Sequence, residues 1–126
     1  MTNIELFSMA KEVSKNAYSP YSKVCVGAAL ETKGGKIYTG VNVENSSYGA
    51  TICAERTAAV KAVSEGEKDF ARIAIAGNIR NLVPCGMCRQ FLSEFCDDMV
   101  VLYEDKDGKL VETNLNSLFP SSFSLE

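Results

Sequence analysis

The chain has 126 residues, 46% hydrophobic and 23% charged, the size and balance of one soluble domain, read here as residues 1–126, with no room for a second core. Its formal net charge of −3 argues against a nucleic-acid partner, because affinity for phosphate backbones comes from clustered Lys and Arg; a small-molecule substrate is expected. Five cysteines and no histidine mean that any transition-metal site must use Cys, Asp or Glu, and that a carboxylate must carry most proton transfer near neutrality.

The opening residues Met1 to Phe7 lack a basic segment followed by an apolar core, and no apolar run reaches the ~18 residues that span a bilayer. A cytoplasmic protein without membrane association is expected, with its thiols reduced. Residues 4–17 place Leu6, Ala10, Val13 and Ala17 on one face of an amphipathic helix, which Ser19-Pro20-Tyr21-Ser22 breaks. Val24 to Leu30 and Lys36 to Val43 read as a hairpin about Lys33-Gly34-Gly35. The second strand ends in Asn42-Val43-Glu44-Asn45, which places amide and carboxylate groups where a ligand's hydroxyls could meet them or, more plainly, in a solvated turn.

An Ala-rich helix is expected from about Ile52 to Glu65, with small residues on several sides, and a short apolar strand over Ile73 to Ala76. Pro84 opens a third helix with Phe91, Leu92 and Phe95 facing inward. Met99 to Tyr103 reads as a strand buried on both faces, and the turn Asp105 to Gly108 leads into an antiparallel edge strand over Lys109 to Val111. The tail from Asn116 reads as a short helix followed by a loose end. This order implies an α/β fold, a mixed five-stranded sheet with helices on both faces.

Two segments carry the chemistry, Cys53-Ala54-Glu55 and Pro84-Cys85-Gly86-Met87-Cys88, each at a helix start. Thiolates gain there from backbone N–H groups and the helix dipole, and the two-residue gap lets Cys85 and Cys88 face one ion. Catalytic zinc keeps three protein ligands and an open position, so Cys53, Cys85 and Cys88 are candidate ligands, with Glu55 beside the metal as the acid/base. Three thiolates leave zinc with a formal charge of −1, and Arg56 is the candidate to offset it by hydrogen bonds to the sulfurs. Alternatively, a closed structural site would recruit Cys25 or Cys96 as fourth ligand. Cys96 lies two turns beyond Cys88, roughly 12 Å along the helix, and both residues suit burial as small hydrophobes.

Together with Tyr18-Ser19-Pro20-Tyr21-Ser22-Lys23, Val26-Gly27-Ala28-Ala29-Leu30, Gly40-Val41-Asn42-Val43-Glu44-Asn45, Cys53-Ala54-Glu55-Arg56-Thr57-Ala58 and Pro84-Cys85-Gly86-Met87-Cys88-Arg89-Gln90, the chain resembles the cytidine deaminase family, in its small homotetrameric class. The resemblance implies a three-layer α/β/α sandwich, one Zn²⁺ per subunit, and hydrolysis of cytidine or deoxycytidine to the uridine product and ammonia, in pyrimidine salvage. It implies that Asn42 and Glu44 bind the ribose, that the Ala54 N–H meets the base carbonyl, and that the Val83 carbonyl receives the ammonia. It further implies active sites shared across a homotetramer, with Tyr48 and Phe123 supplied by neighbouring subunits. Val24 stands where the family usually has an aromatic ring against the pyrimidine, so either a weaker hold on cytidine or room for bulkier cytosine derivatives is expected. Deamination of a blasticidin-S-like nucleoside and a zinc-stabilised module without catalysis are the competing readings.

Overall fold

The computed structural model describes residues 1–125. Helix α1 (Asn3–Val13) leads through a 3₁₀ turn (Ser14–Asn16) to the strands β1 (Val26–Thr32) and β2 (Ile37–Val41). A second 3₁₀ turn (Tyr48–Ala50) precedes α2 (Ala54–Ser64), β3 (Phe70–Gly77) and α3 (Gly86–Ser93), and β4 (Val100–Glu104), β5 (Leu110–Asn114) and α4 (Leu115–Leu118) complete the fold. The sheet order is β2-β1-β3-β4-β5. The β3–β4 pair is parallel and the other three are antiparallel, so the mixed five-stranded sheet and the final antiparallel hairpin are as expected.

Strand alternation assigns the two faces. Ala28, Leu30, Ile73, Ile75 and Val101 bury against α2, α3 and α4, in a core with Ala54, Ala58, Ala59, Ala62, Leu92 and Leu115. Ala29, Ala74, Ala76 and Leu102 turn the other way, onto Leu6 and Ala10 of α1. Val101 and Leu102 are both fully buried and belong to opposite faces, as their unbroken apolar run requires. Each buried Leu, Ile or Phe side chain contributes about 1.5–3 kcal/mol of transfer free energy.

Two glycines set how closely the helices approach. A Cβ on Gly27 would stand 2.1 Å from the Ala10 carbonyl oxygen, and one on Gly40 would stand 2.4 Å from the Ala58 nitrogen. Alanine at either position forces a helix off the sheet.

Several boundaries differ from the sequence expectation. The first helix stops at Val13 rather than 17, because Ser14 Oγ donates to the Lys11 carbonyl and Tyr18 pairs with Val43 beyond the helix. The first strand starts at Val26 rather than Val24, and the second ends at Val41 rather than Val43. Before β1 the side chains of Asn42 and Asn78 replace the backbone ladder, and past β2 Val43 makes isolated bridges to Tyr18 and Ile52 instead. The edge strand runs on to Asn114, where Asp98 accepts from Asn114 Nδ2 and from the backbone N–H of Met99 and Asn116. Among the described residues no helix is long and apolar enough to cross a membrane.

Candidate metal and active site

Both helices of the site begin on a cysteine. Cys53 is the N-cap of α2 and Cys85 the N-cap of α3, each with extended backbone and neither with a side-chain capping hydrogen bond. Their sulfurs are therefore not spent on the helix and lie where the unpaired N–H groups and positive dipole ends of two helices converge. Cys88, fully buried in the first turn of α3, brings the third sulfur. The three Sγ atoms lie within 4.8 Å of one another, and those of Cys53 and Cys85 are 3.9 Å apart. Two thiolates held tetrahedrally at ~2.3 Å from one zinc stand about 3.8 Å apart, so the spacing fits that ion.

The local electrostatics also fit a cation bound by thiolates. Arg56 Nη2 donates to Cys53 Sγ at 3.5 Å, and its Nε is buried without a hydrogen-bond partner, an orphan donor next to the sulfurs. The Cys53 thiol is pulled down to about 5, chiefly by a hydrogen bond from Cys88, against the effect of burial and with help from Arg56 and Cys85. Cys88, hydrogen-bonded to Cys53 and buried, is pushed up in return. Binding a metal here must remove protons from the thiols.

Glu55 follows Cys53 by two residues and is 5% exposed. Burial pushes its carboxyl up to about 7, opposed by a backbone hydrogen bond and reinforced by the charge on Cys53. A buried carboxyl that exchanges protons near neutrality is suited to both accepting and donating them. Cys25 and Cys96 stand outside the cluster. Cys25 Sγ lies 3.2 Å from Ser19 Oγ. The Cys96 thiol donates to the Leu92 carbonyl and is pushed up to about 11 by burial. A closed four-cysteine site has no fourth sulfur here.

The cluster opens into a pocket of about 300 Å³ whose lining includes Cys53, Cys85, Ala54, Glu55, Asn42, Val24 and Val83. Val26, Ile52, Ile75 and Leu82 complete apolar walls with no aromatic ring, and Ser22 and Thr51 add hydroxyls. Glu44 lies outside the lining. It accepts from the backbone N–H groups of Tyr21 and Ser22 at 3.0 and 3.1 Å and from the Ser22 hydroxyl. These bonds hold its carboxyl below the usual range, the Ser22 hydroxyl foremost and burial opposing. Asn42 is buried, with both ends of its amide bonded to the backbone of residues 24 and 26. Tyr48 is 75% exposed and stacks edge-on against Tyr21, while Phe123 is 67% exposed and is held through its carbonyl by Gln90. Neither ring lines the pocket of its own chain.

Sequence reasoning gave no role to Arg89 or Asn78. Arg89 donates from Nε to the Pro84 carbonyl and from Nη1 to the Leu118 carbonyl, both at 2.7 Å, tying the metal loop to α4. Its adjacency to Cys88 was the available signal. Asn78, just past β3, reads as a turn residue, and nothing near it in sequence points to the backbone of residues 23 and 25 that it holds.

A family model described as "Cytidine and deoxycytidylate deaminase zinc-binding region" matches residues 1–104. A cytidine deaminase of Sporosarcina psychrophila is 44% identical over 124 residues, covering 97% of this chain and 91% of the relative. A blasticidin-S deaminase of Bacillus cereus is 37% identical over 131 residues, covering 97% of this chain and 92% of the relative. The crystal structure of cytidine deaminase from Burkholderia pseudomallei superposes with a TM-score of 0.89 at 41% identity, over 98% of this chain and 100% of that one. With the three-layer fold, the three-cysteine cluster and the family match in agreement, zinc is the metal of this site, and the chain belongs to the zinc-dependent cytidine and deoxycytidylate deaminase family.

Proposed function

We propose that this chain, acting as one domain over residues 1–126, hydrolyses cytidine and deoxycytidine to uridine and deoxyuridine with release of ammonia. The observation that carries the proposal is the buried carboxyl of Glu55, able to exchange protons near neutrality, beside the three-thiol cluster in a nucleoside-sized pocket. Cys53, Cys85 and Cys88 would hold the zinc, with Arg56 offsetting their charge. When bound, zinc supplies Lewis acidity that brings water's pKa near neutrality.

Glu55 accepts a proton from the attacking water and passes one to ring N3, so that the ring carbon bearing the amine gains a C–O bond while its C=N bond opens. Glu55 then takes the proton of the new hydroxyl and delivers it to the amine, a C=O bond forms as the C–N bond breaks, and ammonia leaves toward the Val83 carbonyl. The Ala54 N–H holds the base carbonyl, and Asn42 and Glu44 face the ribose with the valencies left by their bonds to the chain. The lining contains no Lys or Arg, which favours a neutral nucleoside over a nucleotide or nucleic acid.

The exposed rings of Tyr48 and Phe123, outside their own pocket, support a homotetramer in which neighbours close each site. A cytoplasmic role in pyrimidine salvage accords with a nucleoside substrate. The test is product analysis on cytidine, deoxycytidine and deoxycytidylate beside light scattering: uridine and deoxyuridine from a tetramer are expected, and deamination of the nucleotide alone would overturn the substrate assignment.

The aliphatic walls support a second reading, tolerance of bulkier aminopyrimidine nucleosides such as blasticidin S. Filling the wall with Val24→Phe tests it. A gain in kcat/KM on cytidine with a loss on the bulky substrate is expected; equal efficiencies in both forms would end this reading.

A further inference from the structure

The wall of the pocket that carries Val24 is not held by the sheet. The regular ladder begins at Val26, yet the backbone of residues 23–25 is held on both sides, because two asparagines replace the missing ladder. Asn42, just after β2, donates from Nδ2 to the Val24 carbonyl and accepts on Oδ1 from the Val26 N–H, both at 2.8 Å. Its backbone N–H reaches the Val26 carbonyl at 3.2 Å. Asn78, just after β3, repeats the pattern one residue earlier on the opposite edge. Its Nδ2 donates to the Lys23 carbonyl at 2.9 Å, its Oδ1 accepts from the Cys25 N–H at 2.9 Å, and its backbone N–H reaches the Cys25 carbonyl at 3.0 Å. A side-chain amide carries one donor end and one acceptor end, as a peptide group does. Each asparagine therefore extends the sheet edge beyond the end of its strand.

The clamp also bears on backbone strain. Lys23 has φ +64°, a conformation that costs a non-glycine residue free energy unless its surroundings enforce it. Its carbonyl is bound by Asn78 and its N–H by the Ser19 carbonyl. Val24 and Val26 consequently face the pocket, while Asn78 itself is exposed and lies outside the pocket lining.

We infer that Asn78 is a positioning residue for substrate binding, which acts from outside the pocket by fixing Val24 against the base. The inference rests on the nucleoside deaminase reading. In Asn78→Ala, KM for cytidine should rise about five- to tenfold, with kcat within about twofold and zinc content unchanged. Asn78→Asp keeps the acceptor for Cys25 N–H but loses the donor to Lys23, so its KM should fall between the two. Because the effect runs through Val24, Asn78→Ala introduced into Val24→Ala should change KM by less than about twofold, whereas independent effects would multiply. A KM unchanged in both Asn78 variants, or full multiplication in the double variant, overturns the inference. Should Asn78→Ala fail to fold, Asn78→Asp supplies the same comparison. Hydrogen exchange at the Cys25 amide should speed up in Asn78→Ala whatever the substrate. An unchanged amide therefore refutes the clamp itself, while a wild type inactive on cytidine refutes the deaminase reading.

Discussion

The start of α1 and the starts of α2 and α3 solve the same problem in opposite ways. Thr2 and Glu5 form a reciprocal capping box on α1, with Glu5 N–H donating to Thr2 Oγ at 3.1 Å and Thr2 N–H to Glu5 Oε1 at 2.8 Å. That helix end is complete in itself. Helices α2 and α3 instead present cysteines, poor caps whose sulfurs make no capping hydrogen bond and converge on one another. Local stability is thus given up where a metal is to be held, and kept where the helix has only to pack.

Removing a ligand should break the contrast most severely. Cys88→Ala is expected to abolish stoichiometric zinc and remove the dependence of Tm on a chelator, since stabilisation by a ligand exists only while it binds. Metal analysis with thermal melts checks this, and a zinc-loaded Cys88→Ala protein would refute the cluster as the metal site. Cys53→Ser gives α2 a better cap while taking away a thiolate. Zinc affinity should fall by orders of magnitude, yet the metal-free protein should be as stable as metal-free wild type or up to about 1 kcal/mol more so. Denaturant melts in chelator measure it; a large loss would show that Cys53 serves the fold and not the metal.

Smaller effects are expected at the completed end. Thr2→Ala should cost about 1 kcal/mol of stability with zinc content untouched. Glu5 lies below its usual value of 4.5, chiefly through the Thr2 backbone N–H. A carboxylate lowered on folding adds stability above its unfolded pKa and loses it as the pH falls through the folded one. Wild type should therefore lose this increment below about pH 4.5, and Glu5→Gln, which does not titrate, should show a flatter acid limb in pH-dependent melts.

Much of the architecture was legible because strand alternation, unbroken apolar runs and turn residues report burial directly. The metal ligands were legible because few residue types can bind zinc and the chain has no histidine. What escaped reading was long-range. Gly27 and Gly40 sit in strands like any small residue, and only the packed helices reveal why a Cβ is excluded. Asn42 and Asn78 lie 36 residues apart in sequence, yet they grip consecutive peptides of one segment. No local pattern connects them. Glu44, expected at the ribose, proved to spend part of its carboxylate on Tyr21 and Ser22, a contact across a loop that spacing does not encode.

The central claim is that Glu55 moves protons within a site built by the three thiols. Its most direct test follows the loss of cytidine absorbance with zinc-loaded wild type and zinc-loaded Glu55→Gln in parallel. Rapid conversion by the wild type is expected, with turnover lower by about 10³-fold or more in the variant and zinc and fold retained. Comparable turnover by both proteins would contradict it.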